Sequence, residues 1–146
     1  MAIIWLTGQP GAGKTTIAKE IIKLQDNEEW INVDGDDIRE IFDNKDYSEQ
    51  GRRKNIELAQ QIALFLHKKG KNVVVSLVSP YKNQREDFKL KVGDNIVEAY
   101  VHTNEFRGRE NFHVQNYEPP TEWFVDVSTD NKTAEECAKH IITYLI

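Results

Sequence analysis

Ile3-Ile4-Trp5-Leu6-Thr7-Gly8-Gln9-Pro10-Gly11-Ala12-Gly13-Lys14-Thr15-Thr16 is the stretch that decides the fold. Its first five residues form a short apolar run ended by glycine, the pattern of a strand buried on both faces. Gly8 to Thr15 then matches G-x-x-x-x-G-K-S/T, the phosphate-binding P-loop. That motif needs a strand before it and a helix after it. Lys14 to Gln25 supplies the helix, with Ile17, Ala18, Ile21 and Ile22 on one face. Glycines let successive N–H groups curl toward one centre, and the helix N-terminus adds positive potential. Lys14 can reach the β and γ phosphates of ATP, and the Thr15 hydroxyl can ligate Mg²⁺. Gly8, Gln9, Pro10, Gly11, Ala12, Gly13, Lys14, Thr15 and Thr16 are therefore the candidate nucleotide-binding residues.

Working outward, strands and helices alternate. Trp30 to Val33 reads as a short strand, Ile38 to Phe42 as a short helix, and Glu49 to Lys69 as a long amphipathic helix with Gly70 as its C-cap. Asn72 to Val78 is a second apolar strand, with three successive valines. Asn83 to Val92 is helical, Ile96 to His102 and Trp123 to Val127 are strands, and a last helix carries Ala134, Cys137, Ala138, Ile141, Ile142 and Leu145 on one stripe. Thr133 with Glu136 makes a capping box at its start. Strands apolar on both faces, alternating with helices, predict an α/β P-loop NTPase/kinase fold. Its core is a doubly wound parallel sheet of about five strands with helices on both faces. At 146 residues the chain fits one domain, 1–146. Residues 103–121 are polar, aromatic and arginine-containing, and read as a functional segment such as a lid.

Composition narrows the function classes. A chain with 39% hydrophobic and 29% charged residues is globular rather than disordered. Lys plus Arg is 19 against 24 Asp plus Glu, so the net charge is −5, which argues against nucleic-acid or anionic-membrane partners. Cys137 is the only cysteine, which excludes an internal disulfide and a cysteine-based zinc site. No apolar run is long enough for a signal sequence or a membrane span, so a cytoplasmic location is expected.

The carboxylates that would serve phosphoryl transfer are not at the end of the valine-rich strand, which leads only to Ser79. They lie in Asp34-Gly35-Asp36-Asp37 after the second strand. One can hold Mg²⁺ or its water shell, and another can accept a proton from an attacking hydroxyl. Asn131-Lys132-Thr133-Ala134 lacks the aspartate that reads guanine, so a GTPase fits poorly. A phosphotransferase acting on a small molecule fits better.

Taken together, these residues resemble the adenylylsulfate (APS) kinase family over nearly the whole chain. Ile4-Trp5-Leu6-Thr7-Gly8 resembles its opening, and Asp34-Gly35-Asp36-Asp37-Ile38-Arg39 its D-G-D-N-V/I-R. Tyr47-Ser48-Glu49-Gln50-Gly51-Arg52-Arg53-Lys54-Asn55 falls on F-S-x-x-D-R-x-E-N. Val78-Ser79-Pro80-Tyr81 with Arg85, Glu98-Ala99-Tyr100-Val101 and Tyr117-Glu118-Pro119-Pro120 match further pieces. The family transfers the γ-phosphoryl group of ATP to the 3′-hydroxyl of APS. The resemblance implies Lys14 and Asp36 as catalytic residues, with Asp36 the general base, and Thr15 and Asp34 as the Mg²⁺ side. It implies Arg39, Arg52 and Asn55 on the phosphosulfate, Val78 and Ser79 near the adenosine, and Tyr47 and Phe112 stacked on the acceptor adenine. A homodimer is a candidate assembly.

The sequence also departs from the family. Gln9-Pro10 stands for the usual Leu-Ser, Gly51 and Lys54 each replace an acidic residue, and the R-D-x-K-G-L-Y lid helix has no counterpart. Arg107 and Arg109 are then the candidate lid cations over the ATP phosphates. Two alternatives stay open: a kinase for another nucleoside, nucleotide or sugar acceptor, and a nucleotide-binding module without turnover.

Overall fold

The computed structural model describes residues 2–25 and 29–145. Five strands form one parallel sheet: β1 (Ile3–Thr7), β2 (Trp30–Asp34), β3 (Asn72–Ser76), β4 (Ile96–His102) and β5 (Val125–Ser128), in the order β2-β3-β1-β4-β5. The helices are α1 (Lys14–Leu24), α2 (Gly35–Ile41), α3 (Glu49–Lys68), α4 (Lys82–Val92) and α5 (Ala134–Ile142). Side chains alternate across each strand, so β1 feeds two cores. Ile4 and Leu6 join Ile17, Ala18, Ile21, Cys137, Ala138 and Ile141 under α1 and α5. Ile3 and Trp5 join Ile38, Ile56, Ala59, Ala63 and Phe88 under α2, α3 and α4. The doubly wound fold expected from the sequence is the fold observed.

The parallel arrangement brings all the strand C-termini to one edge, where ligands bind in such sheets. Register makes this specific: Leu6 pairs with Ser76, and Ser76 pairs with Asp34. The P-loop leaves the central strand at this edge, and the Asp34-Gly35-Asp36 turn leaves the outer strand beside it.

Several boundaries differ from expectation, each for a local reason. Strand β3 stops at Ser76, not Val78, because Leu77 to Pro80 turns away through Ser79 at φ 40°. Helix α2 begins at Gly35, not Ile38, because Asp34 caps it by accepting the Asp36 N–H. Strand β5 begins at Val125, not Trp123: Trp123 has φ 53° and is 91% exposed. The last helix ends at Ile142, short of Leu145, but its Thr133–Glu136 capping box is present. No described helix is long and apolar enough to cross a membrane.

Candidate active site

A cleft of about 950 Å³ opens at the C-terminal edge of the sheet. Its floor is the P-loop. Gly8 is required there by close approach, since a Cβ at Gly8 would lie 2.1 Å from the Val101 carbonyl oxygen of β4. Lys14 begins α1 and is buried, with Nζ donating to the carbonyls of Gly8 and Gln9 at 2.8 Å each. Desolvation pulls its pKa down to about 8; the Arg109 charge adds to that, while Asp34 and Asp36 oppose it. Pro10, Gly11, Gly13, Lys14, Thr15 and Thr16 line the cleft. Gly8, Gln9 and Ala12 do not: Gly8 abuts the Val101 carbonyl, Gln9 bonds to the Val114 backbone, and Ala12 packs into the first core.

Thr15 and Asp34, the expected metal side, meet directly: Thr15 Oγ1 donates to Asp34 Oδ2 at 2.9 Å. Two residues missed by sequence reasoning complete this corner. Ser76 Oγ donates to the same Asp34 oxygen at 3.1 Å, and Asn32 Nδ2 donates to Ser76 Oγ at 3.1 Å. The amide nitrogen is only a donor and the carboxylate only an acceptor, so the direction of the Ser76 hydroxyl is forced. Asp34 Oδ1 takes the Asp36 N–H at 2.9 Å. Both carboxylate oxygens are thereby oriented. The signal for Ser76 was available: it is the polar residue that ends a buried apolar strand.

Asp36, in the first turn of α2, lines the cleft. Arg39, Tyr47, Arg52, Asn55, Val78 and Ser79 line it too. Arg39 spends Nη1 on the Asn44 and Asp46 carbonyls at 3.0 Å each, and its guanidinium sits 4.0 Å from the Tyr47 ring centroid. It therefore holds the loop that presents Tyr47. Asn55 is buried, donates from Nδ2 to the Gly35 carbonyl at 3.3 Å, and keeps Oδ1 without a hydrogen-bond partner among the described residues. Ser79 is buried and takes the Trp5 indole N–H at 2.9 Å. Val78 accepts the Thr7 hydroxyl at 2.7 Å through its carbonyl.

Segment 103–121 closes the far wall with Arg107, Arg109, Phe112 and Val114. Arg107 Nη2 donates to the Thr129 hydroxyl at 3.1 Å and pairs with Glu105 at 3.2 Å. A Cβ built on Gly11 would lie 2.7 Å from Arg109 Cβ, so Arg109 packs on the P-loop itself. Tyr117 OH lies 2.8 Å from Thr7 Oγ1. The single Thr7 hydrogen points at Val78, so Tyr117 donates, and burial pushes its pKa up. All the expected side chains but those of Gln9 and Ala12 thus converge on one cleft.

The model of the adenylylsulphate kinase family matches residues 1–111. The chain belongs to this family. Within it, the adenylyl-sulfate kinase of Pseudomonas aeruginosa is 29% identical over 166 residues, covering 99% of this chain and 85% of that protein. The cytidine diphosphoramidate kinase of Campylobacter jejuni is 38% identical over 102 residues, covering 68% of this chain and 59% of that protein. Among solved structures, the APS kinase of Mycobacterium tuberculosis in complex with AMPPNP and APS superposes with a TM-score of 0.85 at 20% identity, covering 98% of this chain and 96% of that one. At that identity the likeness speaks for the adenylylsulphate kinase fold alone.

Proposed function

We propose that this chain transfers the γ-phosphoryl group of ATP to a hydroxyl of a small-molecule acceptor, with the 3′-hydroxyl of adenylylsulfate as the leading acceptor. One observation carries the reading: a single cleft joins a P-loop to Asp36, Arg52 and Asn55 on the opposite wall. Lys14 and the loop N–H groups would bind the β and γ phosphates. The donor set of Thr15 and Asp34, a hydroxyl and an oriented carboxylate, suits Mg²⁺, which prefers few protein oxygens beside phosphate and water. When bound, Mg²⁺ would neutralise charge between the β and γ phosphates. Asp36 would accept the proton of the attacking hydroxyl, and the γ-phosphoryl would pass in line from the β-phosphate oxygen to that hydroxyl oxygen. Arg52 and Arg39 would hold an anionic acceptor, and Tyr47 and Phe112 would face its base.

A second reading has its own support. One relative with 38% identity is named for cytidine diphosphoramidate, while another with 38% identity, from Gloeothece citriformis, is named adenylyl-sulfate kinase. A shortened lid leaves fewer acceptor contacts fixed by the family pattern. A cytidine nucleotide is then the first alternative acceptor. The decisive experiment offers ATP and Mg²⁺ with adenylylsulfate, cytidine nucleotides, other nucleosides and sugars in turn, and identifies the phosphorylated product. Turnover with adenylylsulfate supports the first reading, and turnover with a cytidine nucleotide alone supports the second. AMPPNP binding without any turnover would leave a nucleotide-binding module.

A further inference from the structure

Gln9 makes contacts that phosphate binding does not require. P-loops present backbone N–H groups to phosphate, which leaves the side chain at this position outside the cradle. The Gln9 side chain instead grips one residue 105 positions away. Its Nε2 donates to the Val114 carbonyl and its Oε1 accepts the Val114 N–H, each at 2.8 Å. An amide offering one donor and one acceptor to the N–H and C=O of a single residue fixes both distance and orientation. The leucine usual here in the family can make neither bond.

The place of this fork along the chain gives it weight. Segment 103–121 is secured upstream, where Arg107 donates to Thr129 and Thr103 Oγ1 donates to Asp130 at 2.6 Å. It is secured downstream, where Tyr117 donates to Thr7 and the Glu118 N–H reaches the Pro80 carbonyl at 2.9 Å. Between these anchors, among the hydrogen bonds of the described residues, 108–116 has one tie to the rest of the fold: the fork on Val114. Its other bonds are internal, such as Phe112 N–H to the Arg109 carbonyl at 3.0 Å. Gly108 has φ 80° and open space beside it, so the stretch is free to swing when untied. That stretch carries Arg109 and Phe112.

We propose that Gln9 is a positioning residue: its fork on Val114 is the tether that holds Arg109 and Phe112 against the P-loop, in place of a folded lid helix. The segment is then a strap, closed before substrate arrives, rather than a hinged lid. The inference rests on the reading of the cleft as a nucleotide site.

The test uses Gln9→Leu, Val114→Pro and the two combined. Val114→Pro removes the N–H from the strap side and leaves the P-loop untouched. His113, at φ −61° and ψ 139°, already has the backbone that proline requires of its predecessor. Three readouts are taken: the rate of tryptic cleavage after Arg107 and Arg109, the affinity for AMPPNP, and KM for ATP with kcat. Loss of two hydrogen bonds of ordinary strength should free the strap by roughly tenfold to thirtyfold. Gln9→Leu should accelerate cleavage by about that factor, raise KM for ATP and lower kcat. Val114→Pro should do the same to a smaller degree, and the combined variant should be no worse than Gln9→Leu alone. Unchanged cleavage, or effects that multiply in the combined variant, would overturn the tether and put Gln9 to work inside the P-loop. Cleavage and AMPPNP affinity decide this even if no acceptor is phosphorylated, so failure of the functional reading and failure of the tether remain distinct.

Discussion

Lys14 carries a charge where the surroundings disfavour one. Its ammonium is desolvated when folded and hydrated when unfolded, so the folded pKa of about 8 lies below the ordinary 10.5. Between those two values the unfolded chain binds more protons, and stability rises with pH. Below about pH 8 both states are protonated, and the cost of burying the charge is present in full. Parallel thermal melts should therefore show the parent gaining on Lys14→Met as pH rises from 8 to 10. At pH 7 the variant should fold as well as the parent and lose most phosphoryl transfer, since it brings no charge to the migrating group. Parent affinity for AMPPNP should weaken as pH passes about 8, where Lys14 begins to lose its proton. Asp36 is the complementary case, an open carboxylate with no tie of its own in the Asp34 corner. Asp36→Asn keeps the shape and the N–H that the capping Asp34 carboxylate accepts, but cannot take a proton. It should lower kcat by about 10²–10⁴ with KM for ATP unchanged, as steady-state kinetics would show. A parallel loss of Mg-ATP binding would instead mark Asp36 as the metal-side residue.

At the scale of elements, the start of α3 shows why this chain has glycine where the family has an acidic residue. Ser48 caps the helix by accepting the Gly51 N–H at 3.4 Å, and the Asn44 amide donates to the Gly51 carbonyl at 3.0 Å. The preceding loop folds so tightly over Gly51 that a Cβ would lie 2.1 Å from the Asp46 carbonyl oxygen. That oxygen is also one that Arg39 grips. Gly51→Ala should displace the loop, cost about 1–3 kcal/mol in a denaturant titration, and raise the acceptor KM through Tyr47. None of this packing was legible in the sequence, where Gly51 reads as a substitution and nothing more. What was legible is local. The P-loop, the helical stripe of α3 and the valines of β3 all declare themselves within a few residues. Trp123 misled because an apolar residue beside a strand normally joins it, and here the strap exit turns it outward in a left-handed conformation. Ser76 stands out locally as a polar end to an apolar strand, but that it meets Asp34 and Asn32 depends on register between β2 and β3, which no single segment encodes.

Over the whole molecule, the cleft depends on a buried charge cluster that does not itself line it. Arg85 of α4 and Glu98 of β4 are both 2% exposed, and Arg85 Nε meets Glu98 Oε2 at 2.9 Å. Arg85 Nη1 donates to the Ser79 carbonyl at 2.6 Å, and Nη2 donates to the carbonyl of Glu118. One guanidinium thus ties the second core, the strained turn at Ser79 on the cleft wall, and the downstream root of the strap. Lys89 reaches the other Glu98 oxygen at 2.7 Å and also donates to the Glu122 carbonyl at 3.0 Å. Strand β4, the Ser79 turn of the cleft wall and the downstream end of the strap are therefore tied through one charge cluster. Removing one partner of a buried pair leaves a desolvated charge, which costs about 3–5 kcal/mol. Arg85→Met should lower Tm by on the order of 10 °C and, near the temperature where it is still folded, raise KM for the acceptor. Lys14→Met, by contrast, should leave Tm unharmed at pH 7, which separates chemistry from scaffold in one pair of melts. Adding Glu98→Leu to Arg85→Met should recover part of the lost Tm, because it removes a buried carboxylate that then has Lys89 as its one remaining charged partner among the described residues. It should not restore the acceptor KM, because the carbonyls of Ser79 and Glu118 still lack their donor. Recovery of both would mean that the pair matters only as charge; recovery of neither would mean that shape alone holds this corner together.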